Sequence, residues 1–451
     1  MVNDLVFNPD RPPVRSASGR LSAAELNPIK EAKEMNKRRT RWMDMLTTLG
    51  LSFFMTVWVA VAPAMAADDV VRIGNIIPLS GPSASVGQQG KNAREMAVEE
   101  INAAGGIKSL GGAKLELLYA DSESKPEKGV AEAERLINSE KVNVLTGCWN
   151  SAVTYPTTAV AERYGVPFIV PVSVSDKITE QGFKNVFRIA AKDSWWTRDQ
   201  FSFLKDMEKE FNTKVKKLAF VYENGDWGKG FAGQWKQLAQ EGGYEVVLDE
   251  PYPSTATDLS PVVQKIRRSR ADVLMLVSNA ADAILLTNTL AEYKVNLKAI
   301  ITSGGGHADP SFLQAAGNNA RYIFDIVEWE TDVNKAGAKE TNQRYKDKYG
   351  TNLTGEAVDA YLAMYLIKEA LEQAGSLDPA KIRQTLANIE LKDGPGMIVG
   401  YDAVNFDETG QNANASLVMV QINDIGNGLE RISCWPMSAR RAGYTPVFPK
   451  P

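Results

Sequence analysis

Few residues in this 451-residue chain have the type and spacing for covalent chemistry. Its one histidine, His307, lies in Gly304-Gly305-Gly306-His307-Ala308-Asp309. A Ser-His-Asp hydrolase would have to use that imidazole, yet no G-x-S-x-G elbow occurs in the sequence. A lone loop histidine is more often solvated than catalytic, and that is the expectation for His307. H-E-x-x-H, C-x-x-C and Walker A patterns are absent, so zinc and P-loop chemistry lack their ligands. The segment Gly228-Lys229-Gly230-Phe231-Ala232-Gly233 matches G-x-G-x-x-G, with Asp249 downstream. A dinucleotide fingerprint, however, sets its first glycine at the strand end, so that the pyrophosphate meets a helix N-terminus. Here Glu223-Asn224-Gly225-Asp226-Trp227 intervene and Trp227 crowds the turn, so the segment reads as a ligand-facing loop. No enzyme, cofactor or metal site is expected.

Composition sets the frame. The chain is 44% hydrophobic and 24% charged, the balance of a folded globular protein, and its length suggests two lobes rather than one core. Lys37, Arg38, Arg39 and Arg41 precede an uncharged run, residues 45–67, that ends in Ala64-Met65-Ala66-Ala67. A basic stretch, an apolar stretch and an A-x-A site are the parts of a secretory signal, with cleavage expected after Ala66. A retained anchor is the alternative, since the run is long enough to span a bilayer. Residues 1–34 are mixed in charge and unlike a leader, so translation from Met35 is expected and residues 35–66 form the signal peptide. Removing residues 1–66 takes 9 Lys/Arg and 6 Asp/Glu from totals of 51 and 55, leaving 42 and 49 and a net charge of −7. That carries no basic footprint for nucleic acid. Cys148 and Cys434 are the only cysteines; an oxidising compartment would let them pair, but two buried free thiols are favoured.

From residue 70 the pattern alternates strand and helix. Strands are expected at 70–79, 114–120, 142–146 and 167–170, with helices starting near Ala93, Pro126 and Ser151. After Arg188 the rhythm restarts. Helices are expected at 196–211, 227–241, 259–269 and 282–293, and strands at 218–222, 245–248, 272–277 and 298–302. Three further helices, near 335–349, 356–374 and 379–390, precede a tail of strands and loops. Strands separated by helices need crossover connections, so the expected architecture is α/β with mainly parallel sheets, doubly wound.

Leu79-Ser80-Gly81-Pro82 with Gly87, Ala97 through Gly105-Gly106-Ile107, Ala161-Glu162-Arg163-Tyr164-Gly165-Val166-Pro167, Ile178-Thr179 and Phe187-Arg188 follow one another in the chain. In this order and spacing they resemble the branched-chain amino-acid (leucine/isoleucine/valine) binding protein family of ABC importers. The resemblance runs from about Val71 to Phe406. It implies a type I periplasmic binding fold, two doubly wound lobes joined by three crossings with a central ligand cleft. Lobe one would be 70–190 and 326–408, and lobe two 191–325 and 409–451. Hinge closure on a small molecule, docking on a membrane permease, a periplasmic location and a monomer follow as expectations. A stand-alone sensor subunit of a signalling system is the alternative.

The resemblance also carries site residues. The family binds a ligand carboxylate with a Ser hydroxyl and backbone N–H groups after its third and fourth strands; Ser151 matches the first, and Val172, Ser173 and Val174 the second. Small residues at helix N-termini suit an anion independently of any family, although plain capping is the simpler role for Ser151. Trp227 matches the aromatic that covers the ligand, with core packing as the alternative. Asn279 falls near another contact, and Trp149 offers an aromatic wall or a packing residue. Two positions depart from the family. Its ammonium-binding acid aligns near Gly305, where no carboxylate exists, and the aromatic of its first loop aligns with Val86. Glu356 or Asp309 could supply a relocated negative charge, though helix-terminal exposure is the plain reading of both. The missing acid favours an organic or aromatic acid over an amino acid.

Overall fold

Short apolar runs, each followed by an amphipathic helix, cannot pair through tight turns, and they fold as parallel strands with helical crossovers. The computed structural model describes residues 70–451 except Asn427; the expected leader, its cleavage after Ala66 and the start at Met35 lie outside the described residues. The chain runs β1 (Val71–Ile77), α1 (Ala84–Ala103), β2 (Leu115–Asp121), α2 (Pro126–Asn138), β3 (Val144–Gly147), α3 (Ser151–Tyr164), β4 (Phe168–Val170) and β5 (Val186–Arg188). These strands form a parallel sheet in the order β2-β1-β3-β4-β5. Local chemistry sets the helix limits: Pro126 occupies the first turn of α2, and Gly165 ends α3 in a left-handed conformation, φ 68°.

A second α/β unit follows: α4 (Asp193–Glu210), β6 (Lys217–Glu223), α5 (Asp226–Gly242), β7 (Glu245–Tyr252), α6 (Ser260–Ser269), β8 (Val273–Val277), α7 (Ala280–Glu292), β9 (Ala299–Thr302), α8 (Pro310–Ala316) and β10 (Phe324–Val327). Helices α9 (Ala338–Tyr349), α10 (Gly355–Ala374) and α11 (Pro379–Leu386) come next, and β11 (Val418–Asp424) and β12 (Leu429–Trp435) close the order. The larger sheet is β12-β11-β10-β9-β8-β6-β7, parallel except for the pairings of β10 with β11 and β11 with β12. Both sheets reverse their winding, at β1/β3 and at β6/β8. A crevice opens outside the strand carboxyl ends at such a point.

The chain passes between two cores three times. After β5 it enters α4, whose Trp196, Phe201, Phe203 and Leu204 pack in the core of the larger sheet. After β10 it returns, and Tyr345, Tyr361 and Leu366 join Ala93, Met96 and Ile101 in the core of the smaller one. Past Val404 it crosses again, and Met419, Ile432, Tyr444 and Phe448 pack with α4 and β6. Two short strands, β5 and β10, were not among the expected ones. In β10 the polar Asp325 interrupts the apolar run; its carboxylate is buried by an ion pair with Arg431 of β12 at 2.8 Å, a partner 106 residues away.

Arg188, the last residue of β5, is fully buried where two crossings lie side by side. Its guanidinium donates to Gln411 Oε1 (2.6 Å), to the carbonyls of Ser175 (2.6 Å) and Ser173 (3.3 Å), and to Thr179 Oγ1 (3.0 Å). Its backbone N–H reaches Gly410 O at 2.8 Å, and Asn412 donates to Arg188 O at 2.9 Å. Burial draws its pKa down to about 10, so the charge is retained at neutral pH. Replacing it strands several buried acceptors, each worth about 1–3 kcal/mol when left unpaired. Arg188→Met is therefore expected to lower unfolding free energy by roughly 2–4 kcal/mol in urea titrations. Arg72→Met, which removes an exposed pair with Glu116, should shift it by less than about 1 kcal/mol. Equal effects would remove the joint from the account.

Both cysteines are free and buried, Cys148 among the residues packed on α3 and Cys434 in the core of the larger sheet. Burial pushes the Cys148 thiol up to about 12 and Cys434 higher still. Neither should react with an aromatic disulfide reagent until the protein unfolds, at which point two thiols per chain should titrate.

Candidate functional site

The loops at the two winding reversals converge on one cavity of about 190 Å³. Ser83 and Asn150-Ser151-Ala152, after β1 and β3, line it from the smaller sheet; Glu223 to Trp227 and Asn279, after β6 and β8, line it from the larger. Ser303, Gly305 and Glu328, after β9 and β10, and Glu356 at the start of α10 complete the wall. Ser83 Oγ accepts from Asn150 Nδ2 (3.0 Å) within the smaller-sheet side and donates to Asn279 Oδ1 (3.3 Å) on the other, so this second bond runs directly between the lobes.

The N-terminus of α3 offers unspent donors. Asn150 occupies the cap position without a side-chain bond to the helix, while the amides of Val153 and Thr154 return to Asn150 O. First-turn amides at Ser151 and Ala152 have no intrahelical acceptor and border the cavity. Ser151 Oγ accepts from the Ser175 N–H at 3.3 Å, which leaves its own proton to give. Ser173 differs: its hydroxyl is committed to Trp149 O at 2.7 Å and lies 2.5 Å from Thr154 Oγ1. That bond helps hold Trp149 at φ 85°, a conformation strained for a bulky residue. Val172 and Val174 add apolar wall on either side of Ser173.

On the other side, Trp227 in the first turn of α5 meets Phe231 edge to face, with centroids 6.2 Å apart, and Trp196 meets the same ring at 6.2 Å. Gly305, at φ 54°, lies against Trp227: a Cβ there would fall 2.5 Å from Cη2 of the indole. No side-chain acid fits at this position. Instead the Gly305 N–H donates to Glu356 Oε1 at 3.1 Å, placing a carboxylate next to the glycine. Glu356 is buried rather than exposed; burial pushes its carboxyl up to about 7, its own backbone amide opposing and the Asp325 charge adding. Burial, then the charges of Asp359 and Glu356, hold Glu328 well above the ordinary carboxylate range.

Nine of the ten sequence-picked residues meet here: Trp149, Ser151, Val172, Ser173, Val174, Trp227, Asn279, Gly305 and Glu356. Asp309 does not. It lines a separate cleft, where its carboxylate caps α8 by accepting from Ser311 N (2.7 Å) and takes Gln89 Nε2 at 3.3 Å. Its short side chain is spent on the helix it precedes. Sequence reasoning missed Ser83, Asn150, Trp196 and Glu328. Of these, Glu328 follows the unrecognised strand β10, and an acid at a strand carboxyl end was the available signal.

His307 is buried, not solvated as expected, with its ring against Phe312 (centroids 4.9 Å apart); burial lowers its pKa to about 4. The glycine-rich match has a structural cause. Glu223 accepts from the amides of Gly225 (2.7 Å) and Gly228 (2.8 Å), and a Cβ on Gly228 would lie 1.9 Å from Glu223 O. The amides that would hold a phosphate are already taken by a carboxylate.

A family profile described as periplasmic binding protein matches residues 70–427. The Leu/Ile/Val-binding protein homolog 7 of Brucella suis biovar 1 (strain 1330) is 30% identical over 382 residues, covering 82% of this chain and 93% of the relative. Among solved structures, the branched-chain amino acid transporter substrate-binding protein of Streptococcus pneumoniae, in complex with isoleucine, superposes with a TM-score of 0.70 at 24% identity. It covers 81% of this chain and 99% of that one. The solute-binding protein of an ABC transporter from Rhodopseudomonas palustris BisB5, in complex with 3,4-dihydroxybenzoic acid, gives 0.71 at 21% identity, covering 83% and 98%. These likenesses fix the fold as the type I binding fold expected from the sequence. Together with the fold, the profile match establishes that this chain is a member of the periplasmic binding protein family.

Proposed function

We propose that the protein is the solute-binding receptor of an ABC importer and takes a small carboxylate-bearing molecule into the cavity between its lobes. The observation that carries this is the uncapped N-terminus of α3, with Ser151 and two free first-turn amides bordering a cavity walled by Trp149, Trp196 and Trp227. Such an end favours an anion through both its unspent N–H groups and its dipole. The two structural relatives named above hold isoleucine and 3,4-dihydroxybenzoic acid, both of which carry a carboxyl group.

Function follows from closure. Lobe one, 70–190 with 326–408, and lobe two, 191–325 with 409–451, rotate about the three crossings, and a ligand touching both selects the closed form. That form docks on a permease, in the periplasm, after removal of the leader at Ala66. The receptor works as a monomer and does no chemistry on what it carries.

A thermal-shift series on the purified protein, unfolded and refolded to strip bound solute, tests the reading. L-isoleucine, L-phenylalanine and 3,4-dihydroxybenzoate serve as probes. A probe at 100 times its dissociation constant adds about 2.7 kcal/mol and raises the melting temperature visibly. Ser151→Ala should weaken the probe that binds by about ten- to a hundredfold, the range of a hydrogen bond to a charged group, with little change in the melting temperature of the free protein. Unchanged affinity in that variant would sink the carboxylate assignment.

A further inference from the structure

A second cleft, of about 280 Å³, is larger than the ligand cavity and separate from it. Pro310, Leu313 and Gln314 of α8 form one wall; Lys346 of α9 and the loop 350–354 form the other. The first wall hangs from the core of the larger sheet through Phe312 and Ala316, the second from the core of the smaller sheet through Tyr345 and Leu353. Between them the floor is the second crossing, with Val327, Trp329 and Glu330.

Consecutive residues divide between the two spaces. Glu328 lines the cavity and Trp329 the cleft; Glu356 lines the cavity and Gly355 the cleft. A Cβ on Gly355 would lie 3.3 Å from Trp329 N, so the start of α10 rests directly on the crossing. Glu356 in turn accepts from the Gly305 amide, and Gln89 of α1 reaches Asp309 in the cleft wall at 3.3 Å. The conformation that brings the cavity walls together is thus the one that forms the cleft.

One charge in the cleft is unspent. Asp309 uses its two oxygens on Ser311 N and Gln89. Glu330 accepts from Thr331 and Arg431, and Arg431 is further held by Asp325 and His307 O. Arg344 and Lys348, on either side in α9, pair with Glu100 and Glu99 of α1, whereas Lys346 has no ion pair or side-chain hydrogen bond among the described residues. A buried apolar floor of Val327, Trp329 and Leu353 beside a free ammonium suits a small organic anion with an apolar body.

We infer that this cleft is an effector site: a small organic anion seats its apolar body between Leu313 and Trp329 with its charge toward Lys346, touches both walls, and so favours closure and tightens binding in the cavity. Linkage makes the effect mutual, and solute in the cavity tightens the cleft by the same factor. The coupling rests on the receptor reading above; binding in the cleft does not.

Naphthalene-2-sulfonate, compact and anionic, is the probe, with naphthalene-2-sulfonamide as its uncharged counterpart. Each is titrated calorimetrically into the stripped protein, alone and saturated with whichever of L-isoleucine, L-phenylalanine and 3,4-dihydroxybenzoate binds the cavity. The sulfonate should bind one site, tighter than the sulfonamide by about threefold or more, the range of one exposed charge pair. It should bind tighter again when the cavity is filled. Lys346 is exposed, so Lys346→Met keeps the fold, and it should erase the difference between the two probes. Leu313→Asp should abolish sulfonate binding. Displacement of the sulfonate by the cavity solute, absence of binding, or equal sulfonate affinity in Lys346→Met overturns the site. Simultaneous binding with neither affinity changed overturns the effector role. If none of the three solutes binds, the receptor reading fails by itself, and the charge comparison in wild type and Lys346→Met still decides the cleft.

Discussion

Parallel strands cannot be joined by two-residue turns, and that constraint governs everything else in this protein. Each strand must return through a helix, so every parallel strand of a sheet ends on the same edge, and the following helix begins there. When the winding reverses, at β1/β3 and β6/β8, the helices on either side diverge and leave a crevice. Two such sheets in one chain bring four crevice loops and several helix N-termini to a single cavity. The site is a consequence of connectivity before any particular side chain is chosen.

Side chains then set its electrical character. Helix N-termini supply partial positive charge through peptide groups, without a lysine or arginine in the cavity wall. Backbone donors are fixed in direction and bring no flexible charge to desolvate. The acids carry the opposite character, and their environments differ sharply. Glu223 accepts from two amides of its own loop, whereas Glu328, also buried, keeps an oxygen without a partner among the described residues. Two glutamates lining the same cavity therefore differ: one is spent on shaping a loop, and the other keeps an oxygen free of the loop's backbone.

The crossings connect this chemistry to the rest of the molecule. Arg188 and Gln411 lock two of them side by side through a bond to each other and bonds to backbone carbonyls, a fully buried joint. Across the cavity, Ser83 bonds to Asn279 and the Gly305 amide to Glu356, each contact involving at least one side chain. Side-chain contacts between lobes are easily exchanged for water or solute, whereas the buried joint is not, an asymmetry that suits the hinge closure proposed above.

Much of this was legible in the sequence. Alternating apolar runs and helical periodicity placed most strands and helices, because burial of one helix face and of whole strands writes itself into local spacing. Ser151 and Trp227 could be picked because they match ligand positions of the family that the sequence resembles, and Glu356 because the acid that family carries is missing at Gly305 and had to be sought elsewhere. Three things depended on tertiary structure. Asp309 reads like Glu356 in sequence, and only the fold shows one spent on capping α8 and the other bonded to Gly305 in the cavity wall. His307 reads as a solvated loop residue, and only packing against Phe312 reveals it as buried. Glu328 lay after a strand disguised by Asp325, whose charge is tolerable because Arg431 arrives from a strand 106 residues later. Local pattern records what each segment buries; which partner neutralises a buried charge is decided by residues far away in the chain, and only the folded molecule brings them together.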